Sequence, residues 1–166
     1  GLGSLTSTTT LSTGTWYNIT LRFDGSTLKL YINGNEEASG SLSAINNSAQ
    51  NLILGAYSNS GQTGFQAHID GKISNVSIFD EALTSTEVLK LYANGVPQDL
   101  SSFTPAPVAW WPLGSNSFWN GSQWTVRDMS TGGSNDGTGQ NIGIDGLVGD
   151  SPRSSANGVG TNNSIP

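Results

Sequence analysis

The sequence predicts an all-β protein of antiparallel strands with one short helix. The prediction rests on two alternating segments, Trp16–Phe23 and Thr27–Ile32, on the turn dipeptides Asp24-Gly25 and Asn33-Gly34 that follow them, and on one capped helical segment near residues 84–94. Alternation with a period of two is typical of a strand with one buried face, and Asp-Gly or Asn-Gly supplies the positive φ of a tight turn.

The first 34 residues predict an antiparallel meander. Residues 1–15 are rich in Gly, Ser and Thr and are interpreted as an exposed strand or an ordered lead-in. The two alternating segments each place apolar side chains on one face, which are Tyr17, Ile19, Leu21 and Phe23 in the first and Leu28, Leu30 and Ile32 in the second. We expect this face to be buried.

Further elements follow up to residue 97. Asn51–Tyr57 predicts another strand, and the polar loop 58–64 leads into a long strand over 65–79. Thr84 and Glu87 have the spacing of a capping box, which predicts the start of the helix. The helix is expected to stop near Gly95, because Pro97 cannot continue it.

The composition changes after residue 97, and this predicts the domain organisation. Residues 1–97 form the main unit, and 98–107 are a linker rich in Pro and Ser. Residues 108–166 begin with an apolar strand, Val108–Leu113, and continue as an extension rich in Gly, Ser and Asn, on which we impose no regular structure.

Charge and hydropathy exclude two classes of partner. The net charge is −6, and the six Lys and Arg residues are scattered singly, so neither nucleic acid nor an anionic lipid surface is an expected partner. No apolar run is long enough to span a bilayer. Charged residues make up 11% of the chain, against about 25% in a typical domain, so the surface is covered mainly by uncharged polar side chains.

Three motifs occur in the order of a known family. They are Trp16–Gly34, Leu52–Gly55, and Phe65–Leu83, where "G-K-I-S-N-V-S-I-F-D-E-A-L" leads into the helix. Together they resemble laminin-G-like modules of the concanavalin A-like lectin/glucanase type. The resemblance implies a jelly-roll β-sandwich that mostly binds glycans or builds surfaces, with enzymes in only some branches.

The order of the motifs leaves one question open. The resemblance implies first strands that would precede residue 1 and are missing here, whereas Val108–Asn141 resembles the family's opening. Residues 108–126 therefore either complete the sandwich of 1–97, within this chain or from an adjacent copy, or start a second domain. The arrangement is similar to virion structural proteins of marine bacteriophages, which implies an extracellular or virion-surface location and partners that are further copies or other surface subunits.

The residues favour a non-catalytic function. Glycanases of this fold resemble one another in Glu-x-Asp-x-x-Glu on one strand, and the chain has no such motif, while adjacent Glu36 and Glu37 point to opposite faces of a strand. His68 is the only histidine, so no metal site built on several histidines can be assembled. We therefore expect no catalytic residues and a surface module that acts in assembly or adhesion; the alternatives are a Ca²⁺-assisted lectin and, less favoured, a glycanase.

Exposed aromatic residues with polar neighbours are candidates for glycan binding, because sugars stack on rings while amides bind their hydroxyls. Trp119 and Trp124, with Asn120 between them, form one candidate site. By contrast, Trp110 and Trp111 belong to the opening strand and are expected in a core or an interface.

The loop after Asn51–Tyr57 offers a second candidate site, with Tyr57 as the platform and Asn59 and Gln62 as the polar partners. Ca²⁺ is the only cofactor that the sequence leaves open, because its oxygen ligands need no fixed spacing. Asp70, beside Gly71 in the predicted long strand, is the candidate ligand.

Overall fold

A computed structural model describes residues 4–45, 49–58, 61–114 and 116–139. Their elements are β1 (Ile19–Phe23), β2 (Thr27–Ile32), β3 (Asn35–Ser41), β4 (Tyr57–Ser58), β5 (Phe65–Gln66), β6 (Val76–Ile78), α1 (Ser85–Tyr92), a 3₁₀ turn (Ala93–Gly95), β7 (Ala109–Trp111), β8 (Phe118–Trp119), β9 (Trp124–Val126) and β10 (Gly137–Thr138). The strands form four antiparallel sheets, with the orders β1-β2-β3, β4-β5, β6-β7 and β8-β9-β10. The predicted fold class, mostly antiparallel β with one short helix, is confirmed, and the packing of the sheets into a jelly-roll sandwich stays a prediction.

The predicted meander forms, and its first turn is held by Asp24. The carboxylate accepts hydrogen bonds from the backbone N–H of Thr27 (2.9 Å) and of Ser26 (3.1 Å) and from the Ser26 hydroxyl. These bonds, led by that from Thr27, lower the pKa of Asp24 to about 2. Gly25 takes φ +94° in the turn, as the dipeptide predicted.

The helix α1 covers one side of the meander. Tyr31 of β2 is 2% exposed and packs in a cluster with Leu83 and Val88, while the Arg22 Nε donates to the Leu83 carbonyl at 2.7 Å. The capping box is present, since the Thr84 hydroxyl accepts from the Glu87 N–H and the Glu87 carboxylate accepts from the Thr84 N–H. Tyr31 and Arg22 therefore mark the covered side of the sheet.

The apolar side of the meander is buried only in part, since Ile32 is 5% exposed as expected but the residues at the start of β1 are not covered. Ile19 is 55% exposed and Leu21 is 66% exposed, although Leu30, opposite Leu21, is half-buried. The prediction failed because alternation places these residues on the side opposite Tyr31, and α1 packs on the Tyr31 side.

The long strand predicted over 65–79 is wrong, because only its two ends, β5 and β6, are extended. Ala67 and Asn75 adopt φ +48° and +57°, which interrupt a strand. The strand predicted over Asn51–Tyr57 is also wrong, since Gly55 takes φ +81° and, of the predicted residues, only Tyr57 lies in a strand, as the first residue of β4. The apolar pattern of these segments does not reveal such left-handed residues.

The segment after the linker returns to the main unit. Trp111 of β7 lies opposite Val76 of β6, and both tryptophans of β7 are buried, as expected. The indole N–H of Trp110 donates to the Asn75 Oδ1 at 2.6 Å, and that of Trp111 donates to the Asn135 carbonyl at 2.8 Å. The domain bounds at 97 and 107 stay a prediction, and residues 140–166 of the predicted extension lie outside the described residues.

Candidate functional site

The loop candidate holds Tyr57 at the surface. Tyr57 is 65% exposed and begins β4, where it pairs with Gln66 of β5. The Gln62 side chain is engaged within the protein, since its Oε1 accepts from the Asn51 N–H (3.0 Å) and its Nε2 donates to the Asn51 carbonyl (2.6 Å). Asn59 lies outside the described residues. Gln62 therefore serves to fix the loop, and of the two described residues of this site, Tyr57 presents its ring to solvent.

The second candidate lies on the β8–β9 hairpin. Trp119 and Trp124 are direct cross-strand partners, and their rings meet edge to face with centroids 5.8 Å apart. Trp124 is 6% exposed, while Trp119 is half-buried. Edge-to-face contact between cross-strand aromatics stabilises a hairpin. Trp124 is thus part of the interior of the hairpin and offers no open ring for stacking on a sugar.

Asn120 forms the turn of that hairpin. Its Oδ1 accepts from the Ser122 N–H (3.0 Å), the Ser122 hydroxyl (3.1 Å) and the Gln123 N–H (3.0 Å). A short polar side chain that closes a turn on its own backbone is typical of an Asx turn. The carboxamide oxygen is therefore already satisfied by the loop.

Asp70 is exposed and lies in a bend between β5 and β6. Among the described residues, no three His, Cys, Asp or Glu side chains are grouped closely enough to hold a metal ion. Ca²⁺ binding at Asp70 stays a prediction.

The glutamates of β3 are both engaged. The Glu36 carboxylate lies 2.8 Å from the Lys29 Nζ. The Glu37 carboxylate accepts from the hydroxyl and backbone N–H groups of Thr8 and Thr9, and these bonds, led by that from the Thr8 hydroxyl, lower the pKa of Glu37 to about 2. Glu37 therefore fastens the lead-in to the sheet.

A buried carboxylate that sequence reasoning did not single out organises residues 128–136. Asp128 is 6% exposed; its oxygens accept from the N–H groups of Trp110 (3.0 Å), Ser130 (2.9 Å) and Asn135 (3.2 Å) and from the Asn135 Nδ2 (2.8 Å). Burial opposes ionisation, but these bonds outweigh it and hold the pKa of Asp128 well below its usual range. The carboxylate thus binds N–H groups of β7 and of the segment after β9, and its role is to hold these two segments together.

Sequence reasoning also missed a solvent-exposed cation–π pair on the hairpin. Phe118 is 43% exposed, and the Arg127 guanidinium carbon lies 5.2 Å from the centroid of its ring. Their proximity follows from the turn at Asn120, because a hairpin that pairs Trp119 with Trp124 also pairs Phe118 with Thr125 and places Arg127 on the same face. The turn signal Asn120-Gly121 was the available clue.

Within the described residues, no helix has the length and apolar character needed to cross a membrane. A family model described as the concanavalin A-like lectin/glucanases superfamily matches residues 2–89. No curated protein matches the chain. One solved structure is similar, an S-layer domain-containing protein (residues 221–444) from Clostridium thermocellum ATCC 27405, with 24% identity and a TM-score of 0.43 over 52% of this chain. The match spans 43% of that protein's chain, which is less than half of it.

Proposed function

Because the chain belongs to the concanavalin A-like lectin/glucanase superfamily, we propose that it is a non-catalytic structural module that associates with further copies of itself on a virion or secreted surface. Assembly is the main role, and adhesion through glycans is the second candidate. The observation that carries the proposal is the exposed apolar side of the β1–β3 meander.

This apolar side consists of cross-strand pairs. Ile19 lies opposite Ile32, Leu21 opposite Leu30, and Phe23 opposite Leu28. Ile19 and Leu21 are more than half exposed. Ile32 is buried and the other three are half-buried. Removing apolar surface from water is favourable by about 25 cal/mol per Å², so the exposed side chains of Ile19 and Leu21 support an interaction surface.

A second copy is the occupant that the charges favour. The chain has a net charge of −6, so most of its acidic surface repels an identical chain. The six residues of the apolar side carry no charge, and two such sides can meet without bringing like charges together. The edge strands β1 and β3 of this three-stranded sheet add backbone groups that pair with a neighbouring strand.

The state of the glutamates supports a non-catalytic role. A retaining glycosidase needs two carboxyl groups about 5 Å apart that are free to act on the sugar. Three of the four glutamates are committed: Glu36 to Lys29, Glu37 to the lead-in threonines and Glu87 to the helix cap. The fourth, Glu81, is exposed. A glycanase, and a lectin that uses Ca²⁺ at Asp70, remain the alternatives.

The experiment is the mass of the full chain in solution, measured by light scattering over a range of concentrations. We expect the wild type to exceed the monomer mass of 17.3 kDa and Leu21→Lys to be monomeric, because a charge on the apolar side cannot be buried against an identical side. Leu89→Lys is the matched control, since Leu89 is 53% exposed on α1, at the opposite side of the meander. A wild type that is monomeric throughout, or two variants that dissociate equally, contradicts the proposal.

A further inference from the structure

The outer face of the β8–β9–β10 sheet combines an aromatic ring, a guanidinium group and threonine side chains. Phe118 lies opposite Thr125, and Thr125 lies opposite Thr138, so one residue from each strand forms a row across the sheet. Arg127, two residues beyond Thr125, extends over the Phe118 ring. We call these four residues, Phe118, Thr125, Arg127 and Thr138, the hairpin face.

Successive side chains along each strand of this sheet point to opposite sides. Trp119 and Trp124 occupy the inner side, where Trp124 is buried. Phe118, by contrast, leaves 43% of its surface open, and Arg127 is exposed. The sheet therefore has a hydrophobic support beneath an accessible aromatic and cationic surface.

Arg127 has no acidic partner in the described part of the chain. The ion pairs there join Arg22 to Asp24 and Lys29 to Glu36, and no Asp or Glu oxygen lies within 4.0 Å of the Arg127 nitrogens. A guanidinium held at an aromatic ring keeps its planar fork of donors available for an anion. Although Asp128 follows it in the sequence, the Asp128 carboxylate accepts from backbone and amide N–H groups and forms no ion pair with Arg127.

We propose that the hairpin face binds a carboxylated sugar, such as the uronate unit of an acidic polysaccharide. The guanidinium of Arg127 pairs with the planar carboxylate through two parallel hydrogen bonds. The Phe118 ring contacts the apolar face of the sugar, and the Thr125 hydroxyl lies beside the ring in the same row to bond with a hydroxyl group of the sugar.

The composition of the face favours this ligand over other anions. A nucleic acid presents a phosphate at every nucleotide and is bound by several cations, whereas the hairpin face offers one. The face also lies outside residues 2–89, so the family match assigns no ligand to it. It is separate from the apolar side of β1–β3, and the two proposals stand independently.

The test is binding of the full chain to polygalacturonate, measured by affinity electrophoresis, with the fully methyl-esterified polymer as the uncharged probe and polyglutamate as a carboxylated probe without sugar. We expect retardation by polygalacturonate alone, and weaker retardation as salt increases. No binding to polygalacturonate, equal binding to the ester, or equal binding to polyglutamate each overturns the proposal.

Two variants and one control locate the site. Arg127→Gln removes the charged fork, and Phe118→Leu removes the ring but keeps an apolar side chain; each is expected to weaken binding by about tenfold or more. Lys72→Gln changes the net charge equally at another exposed position, and we expect less than a twofold effect. Unchanged thermal unfolding shows that a variant is folded, and equal effects of Arg127→Gln and Lys72→Gln overturn the assignment.

Discussion

At the scale of single residues, Asp128 shows how a buried charge is stabilised by its neighbours. Its side chain is nearly excluded from solvent, and the cost of burying a carboxylate is offset by backbone and side-chain donors on both flanks. These donors come from β7 and from the loop after β9, so the carboxylate joins two segments that are distant in sequence. The contribution of Asp128 is therefore to the stability of residues 108–136.

We predict that Asp128→Asn lowers the free energy of unfolding by about 2 kcal/mol, because the new amide group faces donors and leaves buried N–H groups unsatisfied. Urea denaturation of the full chain, followed by tryptophan fluorescence, measures the change. Asp80→Asn, at an exposed position, is the control and should leave the midpoint unchanged. Equal destabilisation by both substitutions would show that loss of charge, not loss of the tie, is responsible.

At the scale of elements, α1 is defined at both ends by local bonds. The capping box of Thr84 and Glu87 begins it, and the left-handed Ala93 ends it with a bond from its N–H to the Leu89 carbonyl. The helix in turn brings Val88, which is fully buried, against Tyr31 of β2. The cap therefore supports the main buried cluster of this part of the chain.

Thr84→Ala is expected to lower stability by about 1 kcal/mol, because the Glu87 N–H loses its acceptor, the Thr84 hydroxyl. Thr86→Ala is the matched control, since Thr86 is an exposed threonine inside the same turn and alanine is a better helix former. The two variants are compared by thermal unfolding. A Thr84 variant as stable as the Thr86 variant would show that the cap does not contribute.

The elements also show which parts of the fold were predictable. Asp24-Gly25 and the spacing of Thr84 and Glu87 are local chemistry, and both gave the structure that was predicted. The segment 65–79 was not predictable, because left-handed Ala67 and Asn75 respond to tertiary contacts; Asn75, for example, accepts a bond from Trp110. Local signals specify turns and caps, whereas the length of a strand depends on its neighbours.

The same limit applied to the candidate site. The pattern of aromatics singled out Trp119 and Trp124 but neither their hairpin nor which ring would be open, because the burial of Trp124 depends on packing that the sequence does not state. Phe118 and Arg127 were missed because only the register of β8 and β9 brings them together. Binding of a glycan at Tyr57, Trp119 or Asn120 stays a prediction.

At the scale of the whole molecule, the acidic side chains link distant parts of the chain. Glu37 fastens the lead-in to β3, Asp24 closes the first hairpin, and Asp128 joins β7 to the segment after β9. Each of these carboxylates has a pKa below its ordinary value, because hydrogen bonds favour the ionised form. The unfolded chain lacks these bonds, so it binds protons more readily than the folded chain in acid.

This difference fixes the direction of the pH dependence. In the folded chain the pKa values of these carboxylates are lower than the values of 3.8 for Asp and 4.5 for Glu that we take for the unfolded chain. The stability that their hydrogen bonds contribute is therefore fully present above those unfolded-state values, and it is lost as the pH falls towards about 2. We predict a constant urea midpoint between pH 7 and about pH 5, and a steady fall from there to pH 2.

Glu37→Gln tests which group is responsible, because glutamine cannot ionise and keeps the length of the side chain. We expect its urea midpoint to fall less steeply between about pH 5 and pH 2 than that of the wild type, while Glu81→Gln, which changes the net charge equally, should keep the wild-type slope. Since the same proton uptake releases the lead-in from β3, the protection of the Thr8 and Thr9 amides, taken relative to their intrinsic exchange rate at each pH, should fall over the same range. A midpoint that stays flat or rises in acid would mean that repulsion among the remaining acidic groups, relieved by protonation, outweighs these bonds.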